Sequence, residues 1–155
     1  MMNRENTNWG QSVTGVVFKN NKVLLARHTY GDGKGMLIVP GGYVECGETP
    51  QAALVREYKE ETGILVKPCD IIAVRFNMHD WYIAFRAEYL SGDASSDHDE
   101  NDEVIWLDVE EALTREDVPD LTKKLIQSAA ANRKGLQYTD YEGSTRHAPY
   151  SLYCL

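Results

Sequence analysis

The chain has 155 residues, of which 43% are hydrophobic and 26% are charged, and its formal net charge is −8 at pH 7. This length and composition are typical of one ordinary globular domain with a core of its own. The negative charge argues against broad binding to nucleic-acid backbones or anionic membranes, because both need a basic surface. Small phosphorylated ligands stay open, because divalent cations can hold them.

No run of the sequence looks like a membrane span or a targeting signal. The apolar runs are too short, and the N-terminal MMNRENTNWG lacks the apolar core of a secretory signal. We therefore expect a cytoplasmic protein. The three cysteines, Cys46, Cys69 and Cys154, are widely spaced and odd in number. They predict free thiols rather than a disulfide framework or a zinc site.

Strand-forming runs fill the first part of the chain. Two β-branched runs flank KNNK, which predicts a β-hairpin with an Asn-Asn turn. A glycine-rich loop follows, and then a short apolar strand that stops at a proline. The predicted elements are strands 12–18 and 23–27, a loop over 28–35 and a strand over 36–39.

A helix is well marked at both ends between Pro50 and Thr62. Thr49 is a favourable N-cap, and proline suits the first helical turn. Gly63 is a favourable stop after the last turn. At about 100° per residue, one apolar stripe of this helix can face a sheet. Its members are Leu54, Val55 and Tyr58.

Three acidic side chains crowd one face of the same helix. Glu57, Glu60 and Glu61 stand at i, i+3 and i+4, next to the apolar stripe. By helical geometry, Arg56 and Lys59 lie on the far side, where they cannot neutralise all three acids. One interpretation is a solvated acidic surface with an Arg56–Glu60 pair. The other is a site for Mg2+ or Mn2+, because hard divalent cations prefer several charged oxygen ligands.

The second half of the chain predicts further strands and two helices. A tight turn joins two apolar runs, and a polar loop precedes another strand. The long final helix has apolar residues at helical spacing. The predicted elements are strands 70–76 and 81–90, a loop over 91–102, a strand over 103–108, and helices over 109–113 and 119–132.

Strands interspersed with two or three helices predict an α/β fold with a mixed sheet covered by helices. The sequence contains no internal repeat and no low-complexity linker. We therefore expect a single domain over residues 1–155, with its core over about 11–130. Residues 132–155 have no clean period, and the sequence does not place them.

A longer pattern surrounds the acidic face. From Gly42 to Ile64 the sequence reads Gly, five residues, Glu48, seven residues and then REYKEETGI. This resembles the Nudix box, G-x5-E-x7-R-E-U-x-E-E-x-G-U, in which U is apolar. Every fixed position is matched, and the preceding VPGG is also typical of the family. The one departure is Tyr58, at a position that is usually aliphatic, which affects packing more than chemistry.

The resemblance implies a Nudix-like α/β/α sandwich and a hydrolase. The expected reaction is attack of water on phosphorus in a nucleoside diphosphate linked to another group, X. Mg2+ is the implied cofactor, with Mn2+ as the alternative. Metal ions neutralise the bridging phosphate oxygens and lower the pKa of a bound water, and a carboxylate accepts the proton.

The family's metal-binding carboxylates map onto Glu57, Glu60 and Glu61. Glu60 or Glu61 is favoured over Glu57 as the proton acceptor. A turn at Gly41 and Gly42 would let a backbone carbonyl point into the site, so the Gly41 oxygen is a further candidate metal ligand.

The remaining matched positions of the box map onto orienting and structural roles. Arg56 maps onto the arginine that orients the box, and we expect it to pair with Glu48. Gly42, Glu48 and Gly63 are assigned structural roles.

The family often adds one acid from a loop opposite the helix, shortly before a strand that contains tryptophan. The stretch ENDEVIW fits that layout, within an acidic segment that has no Lys or Arg from Ser91 to Glu111. Glu100 is the first choice as this extra metal ligand, and Glu103 is the second. Strand alternation puts Glu103 on the face of Ile105, where it would point inward and need a partner.

The sequence offers only isolated candidate residues for binding the substrate. Tyr30, Trp81 and Tyr82 are candidates for base stacking, each with a core position as the alternative. Arg27 and Arg75 are candidate phosphate partners.

Two spacing rules of the family bear on the substrate. The branch that cleaves ADP-ribose often has a proline about 16 residues beyond the box, and MHDWY has none there. A tyrosine about 18 residues beyond the box is typical of the branch that acts on dinucleoside polyphosphates, and Tyr82 is a weak match.

We expect a small-molecule nucleotide as the partner, and neither a nucleic acid nor a membrane, with a homodimer left open. A non-catalytic nucleotide-sensing Nudix domain is the alternative function. The intact box favours the enzyme, because regulatory Nudix domains usually show a degraded box or an attached DNA-binding domain.

Overall fold

The computed structural model describes residues 10–155, apart from the side chain of His147. Nine strands and three α-helices follow one another in this part of the chain. The strands are β1 (Gly10–Lys19), β2 (Lys22–His28), β3 (Leu37–Ile38), β4 (Gly41–Tyr43), β5 (Leu65–Phe76), β6 (Asp80–Ser91), β7 (Asn101–Asp108), β8 (Gln137–Thr139) and β9 (Leu152–Cys154). The helices are α1 (Pro50–Thr62), α2 (Val109–Thr114), α3 (Asp120–Ala130) and a short 3₁₀ helix (Thr145–His147).

Seven strands form one mixed sheet in the order β3-β2-β1-β6-β5, with β4 also paired to β1 and β7 to β2. β1 and β6 are parallel, and the other pairs are antiparallel. On one side, β1 pairs with β4 over Ser12–Thr14 and with β2 at Phe18–Lys19. Gly15 to Val17 lie between these two pairings, at the point where the sheet divides into two arms.

The predicted hairpin of β1 and β2 is present. Asn20 and Asn21 have φ of 51° and 61°, the left-handed values that a two-residue hairpin turn requires. Asparagine tolerates these values better than other residues with a Cβ do. The Asn-Asn pair therefore fixes where β1 reverses into β2.

The core lies in two layers, one on each face of the sheet, which confirms the α/β/α sandwich. α1 covers one face, and α2 with α3 covers the other. Strand side chains alternate between the layers, as the period of two requires. The α1 layer includes Val13, Val17, Leu24, Leu54, Tyr58 and Phe85. The α3 layer includes Val16, Val23, Leu25, Ala84, Leu125 and Ile126.

Both predicted ends of α1 are confirmed. The Thr49 hydroxyl accepts a hydrogen bond from the Ala52 N–H at 3.3 Å, and Gly63 ends the helix with a φ of 72°. The expected apolar stripe is only partly right: Leu54 and Tyr58 are buried, whereas Val55 is half-buried. The charged Glu61 is buried instead, because the acidic face turns into the protein.

Tyr58 brings a polar atom into the core. Its hydroxyl donates a hydrogen bond to the backbone oxygen of Gly15, where β1 lies between β4 and β2. A Cβ on Gly15 would lie 3.0 Å from a Leu54 methyl carbon, so glycine permits the close approach of the helix. The tyrosine at this box position therefore ties α1 to β1.

The predicted turn at Gly41 and Gly42 is wrong, because these residues form β4. A Cβ on Gly41 would lie 2.1 Å from the Val13 oxygen. Glycine is needed there for the close approach of two strands rather than for reversal of the chain. β5 also differs from the prediction: it begins at Leu65 rather than Asp70. Pro68 argues against a strand when the sequence is read alone, but an edge strand such as β5 tolerates proline.

The stretch after α3, which the sequence does not place, packs against the sheet and the start of α1. Leu136 exchanges two backbone hydrogen bonds of 3.0 Å with Ile71 on β5, and β8 and β9 pair with each other. The Tyr153 ring meets Phe85 edge-on at 5.5 Å. Gln51 Nε2 and Ser151 Oγ are 2.6 Å apart, which joins this tail to the first turn of α1.

The expectations about membrane spans, cysteines and the N-terminus can be compared with the structure. Within residues 10–155, no helix is both long and apolar enough to cross the membrane. All three cysteines are free, as predicted, and Cys46 is exposed. The N-terminal stretch that was read as lacking a signal lies, up to residue 9, outside the described residues.

The substitution Tyr58→Phe tests the link between α1 and β1. It removes only the buried hydroxyl and leaves the Gly15 oxygen without its donor, which costs about 1–3 kcal/mol of unfolding free energy. Tyr89→Phe is the matched control, because its hydroxyl donates to the Gly92 oxygen at 2.9 Å in an exposed place. Thermal denaturation should show a clear loss for Tyr58→Phe and little for Tyr89→Phe. Equal losses would contradict the proposed link.

Candidate active site

The three acids of α1 share a side of the helix but lie at different depths. Glu61 is 4% exposed, and the Glu57 side chain is 13% exposed. The Glu60 side chain is 61% exposed. The acidic face therefore runs from solvent at Glu60 to the core at Glu61.

Arg56 lies among these acids rather than on the far side, so that expectation was wrong. Its Nη1 donates to Glu57 Oε1 at 2.8 Å and to Glu60 Oε2 at 3.3 Å. Its Nε and Nη2 donate to the two Glu48 oxygens at 3.1 and 2.6 Å, which is the expected pair. The long side chain lets the guanidinium reach across the helix surface, which backbone angles alone do not reveal. Its hydrogen bonds hold the pKa of Glu48 below the usual value.

The glycine pair of β4 lies against the acids. A Cβ on Gly42 would lie 2.4 Å from Glu57 Cδ, so glycine leaves the space that this carboxylate fills. The Gly41 N–H points to Glu61 Oε2 at 3.4 Å. The backbone of β4 therefore borders two of the three helix acids. A role for the Gly41 oxygen as a metal ligand stays a prediction.

Glu61 carries a carboxyl group in an unfavourable place for a charge. Burial raises its pKa to about 8, with further contributions from the charges of Glu57 and Glu100. The Gly41 N–H opposes this shift only weakly. Burial also raises the pKa of Glu57, against the effect of Arg56.

The two loop acids lie in different surroundings. The charge of Glu100 contributes to the raised pKa of both Glu57 and Glu61. The Tyr30 hydroxyl is 3.4 Å from Glu100 Oε2. Glu103 instead accepts a hydrogen bond from Arg27 Nε at 2.8 Å. The Glu103 side chain is 42% exposed rather than turned into the core as expected, and its ion-pair partner is Arg27.

Arg27 does not join the acidic site. Its Nη1 donates to Asp117 Oδ2 at 3.1 Å and to the Gly35 oxygen at 2.8 Å, in addition to the Glu103 contact. These bonds join β2, β7, the glycine-rich loop and the segment before α3. The phosphate-binding role of Arg27 stays an untested prediction.

Arg75 and Tyr82 line a pocket of about 180 Å³ that also reaches Gly41 and Gly42. The Arg75 guanidinium lies over the Tyr82 ring at 5.1 Å. Asp80 Oδ1 accepts a hydrogen bond from Arg75 Nη1 at 2.7 Å. These two candidates therefore meet beside the glycine pair of β4.

The other two aromatic candidates lie apart from that pocket. Trp81 points to the opposite face of the sheet, where its ring is 5.9 Å from Phe76 in an apolar groove. Tyr30 is 53% exposed, with its ring stacked on His28 at 5.7 Å.

Sequence reasoning missed Asn101, the first residue of β7. It is buried, and its Nδ2 donates to the backbone oxygen of Glu61 at 2.9 Å. A single asparagine in an acidic loop gives no signal of this contact.

Comparison with known proteins agrees with this geometry. The family model described as NUDIX domain matches residues 9–128. The chain belongs to the Nudix family. Among solved Nudix proteins, a NUDIX hydrolase from Nitrosomonas europaea superposes with a TM-score of 0.72 at 20% identity, covering 82% of this chain and 92% of that one. A MutT NUDIX hydrolase from Burkholderia pseudomallei gives 0.69 at 18% identity, covering 77% and 96%. These two likenesses show the shared fold.

Curated relatives match over shorter parts. An ADP-ribose pyrophosphatase from Methanocaldococcus jannaschii is 46% identical over 63 residues, which is 41% of this chain and 37% of the relative. The NAD-capped RNA hydrolase NudC from Vibrio atlanticus is 34% identical over 119 residues, 72% of this chain and 42% of the relative. The chain thus matches about two fifths of the length of these relatives.

The donor set of this Nudix box suits a hard divalent cation. Glu57 and Glu61 of the box and Glu100 of the loop offer only oxygen, and among residues 10–155 no basic side chain hydrogen-bonds to the buried carboxylate of Glu61. A cation would offset the charge that burial makes unfavourable. Within the described residues, no three His, Cys, Asp or Glu side chains already converge as a metal cluster. Arg56 accounts for part of this, because it draws Glu57 and Glu60 toward itself.

Glu61→Gln should stabilise the metal-free Nudix domain in a pH-dependent way. A folded-state pKa of about 8, above the ordinary 4.5, means that ionisation opposes folding. The penalty is absent below the unfolded pKa, grows from pH 4.5 to 8, and reaches on the order of 3 kcal/mol at pH 7. Thermal denaturation in chelator should show Glu61→Gln well above the wild type at pH 8 and near it at pH 5. Glu60→Gln, the same change at an exposed position, should keep the wild-type pH dependence.

Proposed function

We propose that this chain hydrolyses a pyrophosphate bond in a nucleoside diphosphate linked to another group, X, with Mg2+ as cofactor and Mn2+ as the alternative. One observation carries the proposal. The box carboxylates Glu57 and Glu61 lie directly against the glycine pair of β4, and the charge of the loop acid Glu100 contributes to the raised pKa of both. A buried concentration of negative charge next to an open pocket suits a cation-bridged phosphate better than it suits a stable surface.

We assign metal-binding and orienting roles to residues of the chain. Glu57, Glu60, Glu61 and Glu100 would hold the cation, together with the backbone oxygen of Gly41. A divalent cation held there supplies neutralisation of the bridging phosphate oxygens and activation of water. Arg56 would orient the carboxylates through the bonds that it makes to Glu48, Glu57 and Glu60.

Proton transfer is proposed for Glu60 or Glu61. Glu60 Oε2 is exposed, and apart from Arg56 it has no hydrogen-bond partner among the described residues, so it could pass a proton to solvent. Glu61 is buried beside β4, where a proton taken from water would relieve an unfavourable charge.

The substrate side is assigned to the pocket beside Gly41 and Gly42. Tyr82 would stack on the base, and Arg75, which lies over the same ring, would contact the phosphate. Tyr30, which lies apart from this pocket, would contribute its exposed ring next to Glu100. Arg27 keeps a supporting place in this proposal, because Glu103 and Asp117 already hold it.

The names of relatives suggest which substrates to try first. One relative is named for ADP-ribose and another for NAD-capped RNA. The position 16 residues beyond the box is Asp80, which pairs with Arg75 rather than providing the proline expected for ADP-ribose. The net charge of −8 favours a small nucleotide over a polynucleotide. A cytoplasmic location, a single domain and the choice between monomer and homodimer stay predictions from the sequence.

Hydrolysis should require a divalent cation and should depend on the box acids. We would assay the full chain on ADP-ribose, NAD, dinucleoside polyphosphates, nucleoside triphosphates and NAD-capped RNA, with Mg2+, Mn2+ or excess EDTA. Activity on at least one small nucleotide, abolished by EDTA, is expected. Glu60→Gln and Glu61→Gln should each lower kcat by more than ~100-fold, because changes one step removed from metals already cost 10–100-fold.

Two results would reject the enzyme. Full activity in EDTA would remove the metal mechanism. Nucleotide binding without hydrolysis of any compound would favour the sensing domain instead.

The two loop acids should respond differently to the same substitution. Glu100→Gln should raise the Mg2+ concentration for half-maximal turnover, because the charge of this carboxylate acts on Glu57 and Glu61. Glu103→Gln should leave that midpoint in place, because its partner is Arg27. Asp93→Ala serves as the control in the same acidic segment and should be nearly silent. A shift for Glu103→Gln alone would reverse the assignment.

A further inference from the structure

Asn101 has an unusual place for a polar side chain. It is 1% exposed at the start of β7, and its Nδ2 donates to the Glu61 backbone oxygen at 2.9 Å. The acceptor is a carbonyl, so this contact determines which end of the amide faces the helix. Asn101 therefore ties β7 to the last turn of α1, where the buried box acid lies.

The same residue organises the loop that carries Glu100. Its N–H donates to Asp97 Oδ1 at 3.1 Å, and its carbonyl accepts from Ser96 Oγ at 2.8 Å. Glu100 is the preceding residue in the chain, and its carbonyl also accepts hydrogen bonds from the Thr29 N–H and hydroxyl, each at 3.1 Å. Its backbone is therefore held by Thr29 and by the bonds of Asn101 together. One asparagine thus connects the residue before it with Glu61.

The other end of the amide has no partner. Asn101 Oδ1 is buried without a hydrogen bond to any described residue. A buried acceptor in this state lowers the free energy of unfolding. The Nδ2 end offsets this cost, because it satisfies a carbonyl of the last turn of α1 that an apolar side chain would leave buried without a donor. The position therefore needs a donor toward the helix, and the same residue holds the loop through its backbone.

We propose that Asn101 is a positioning residue that keeps the carboxylates of Glu61 and Glu100 in register for one divalent cation. The inference rests on the proposed function, because it assumes that these acids bind metal. Partners that orient metal ligands typically change metal affinity 10–100-fold when they are removed. Asn101 would act through the two acids, without touching substrate.

The substitution Asn101→Leu tests this role. It keeps a similar size and removes the amide. The first readout is direct: the Mn2+ concentration that gives half of the metal-induced rise in Tm of the full chain, starting from EDTA-treated protein. We expect that concentration to increase at least about tenfold. The second readout is the Mg2+ midpoint of turnover, which should increase in parallel, with substrate KM near the wild-type value at saturating Mg2+.

Ser128→Ala is the matched control. Its Oγ donates to the Ile72 backbone oxygen at 2.9 Å, a bond of the same kind between α3 and β5 on the opposite face of the sheet. This variant should lose Tm in the absence of metal and keep the wild-type Mn2+ midpoint. An equal midpoint shift in Ser128→Ala would mean that general destabilisation moves the metal response, and it would overturn the role of Asn101.

The remaining outcomes separate this inference from the function on which it rests. A wild-type midpoint in Asn101→Leu, beside a normal metal response of the wild-type chain, would overturn only the positioning role. A wild-type chain without any metal-induced rise in Tm would reject the proposed function, and the role with it. If Asn101→Leu does not fold, Ser96→Ala removes the loop side of the connection. It should shift the midpoint in the same direction, and an unchanged midpoint would overturn the role.

Discussion

The dense negative charge on α1, opposed by one guanidinium, is the constraint on which the rest of the site depends. Arg56 hydrogen-bonds to three carboxylates, but none of its bonds reaches Glu61. In the described part of the chain, the carboxylate of Glu61 has one backbone donor, the Gly41 N–H at 3.4 Å, and its pKa is raised by the like charges of Glu57 and Glu100. Such an arrangement is costly in an empty protein and favourable around a dication. A dication bound at the box would therefore gain binding free energy from negative charge that the empty protein leaves unbalanced.

Close approach of backbones makes this arrangement possible. Gly15 lets α1 approach β1, and Gly42 leaves room for the Glu57 carboxylate. The Tyr58 hydroxyl donates to the Gly15 oxygen where the sheet divides, and Asn101 on β7 donates to the Glu61 oxygen in the same C-terminal part of the helix. The part of the helix that carries the acids is thus bound both to β1 and to β7.

Structural features that depend on one or two neighbouring residues were predicted correctly from the sequence. The cap at Thr49, the stop at Gly63 and the Asn-Asn hairpin were all readable, because each depends on one or two residues. Contacts between distant residues were not readable. The position of Arg56 depends on where a flexible side chain finds acceptors, and β4 was mistaken for a turn because glycine serves both purposes. The contact of Asn101 with Glu61 leaves no periodic trace in the sequence at all.

The stretch after α3 has a consequence for how the molecule meets its neighbours. β5 is the last strand of the sheet, and a long exposed edge strand offers its free backbone groups to any other extended chain. Leu136 occupies part of that edge through its two bonds to Ile71, and Pro68 removes one donor from the same strand. The paired strands β8 and β9 lie over the adjoining region. The C-terminal segment thereby covers part of the sheet edge and hinders association of two molecules through β5. We expect a chain that ends before Leu136 to expose this edge and to aggregate.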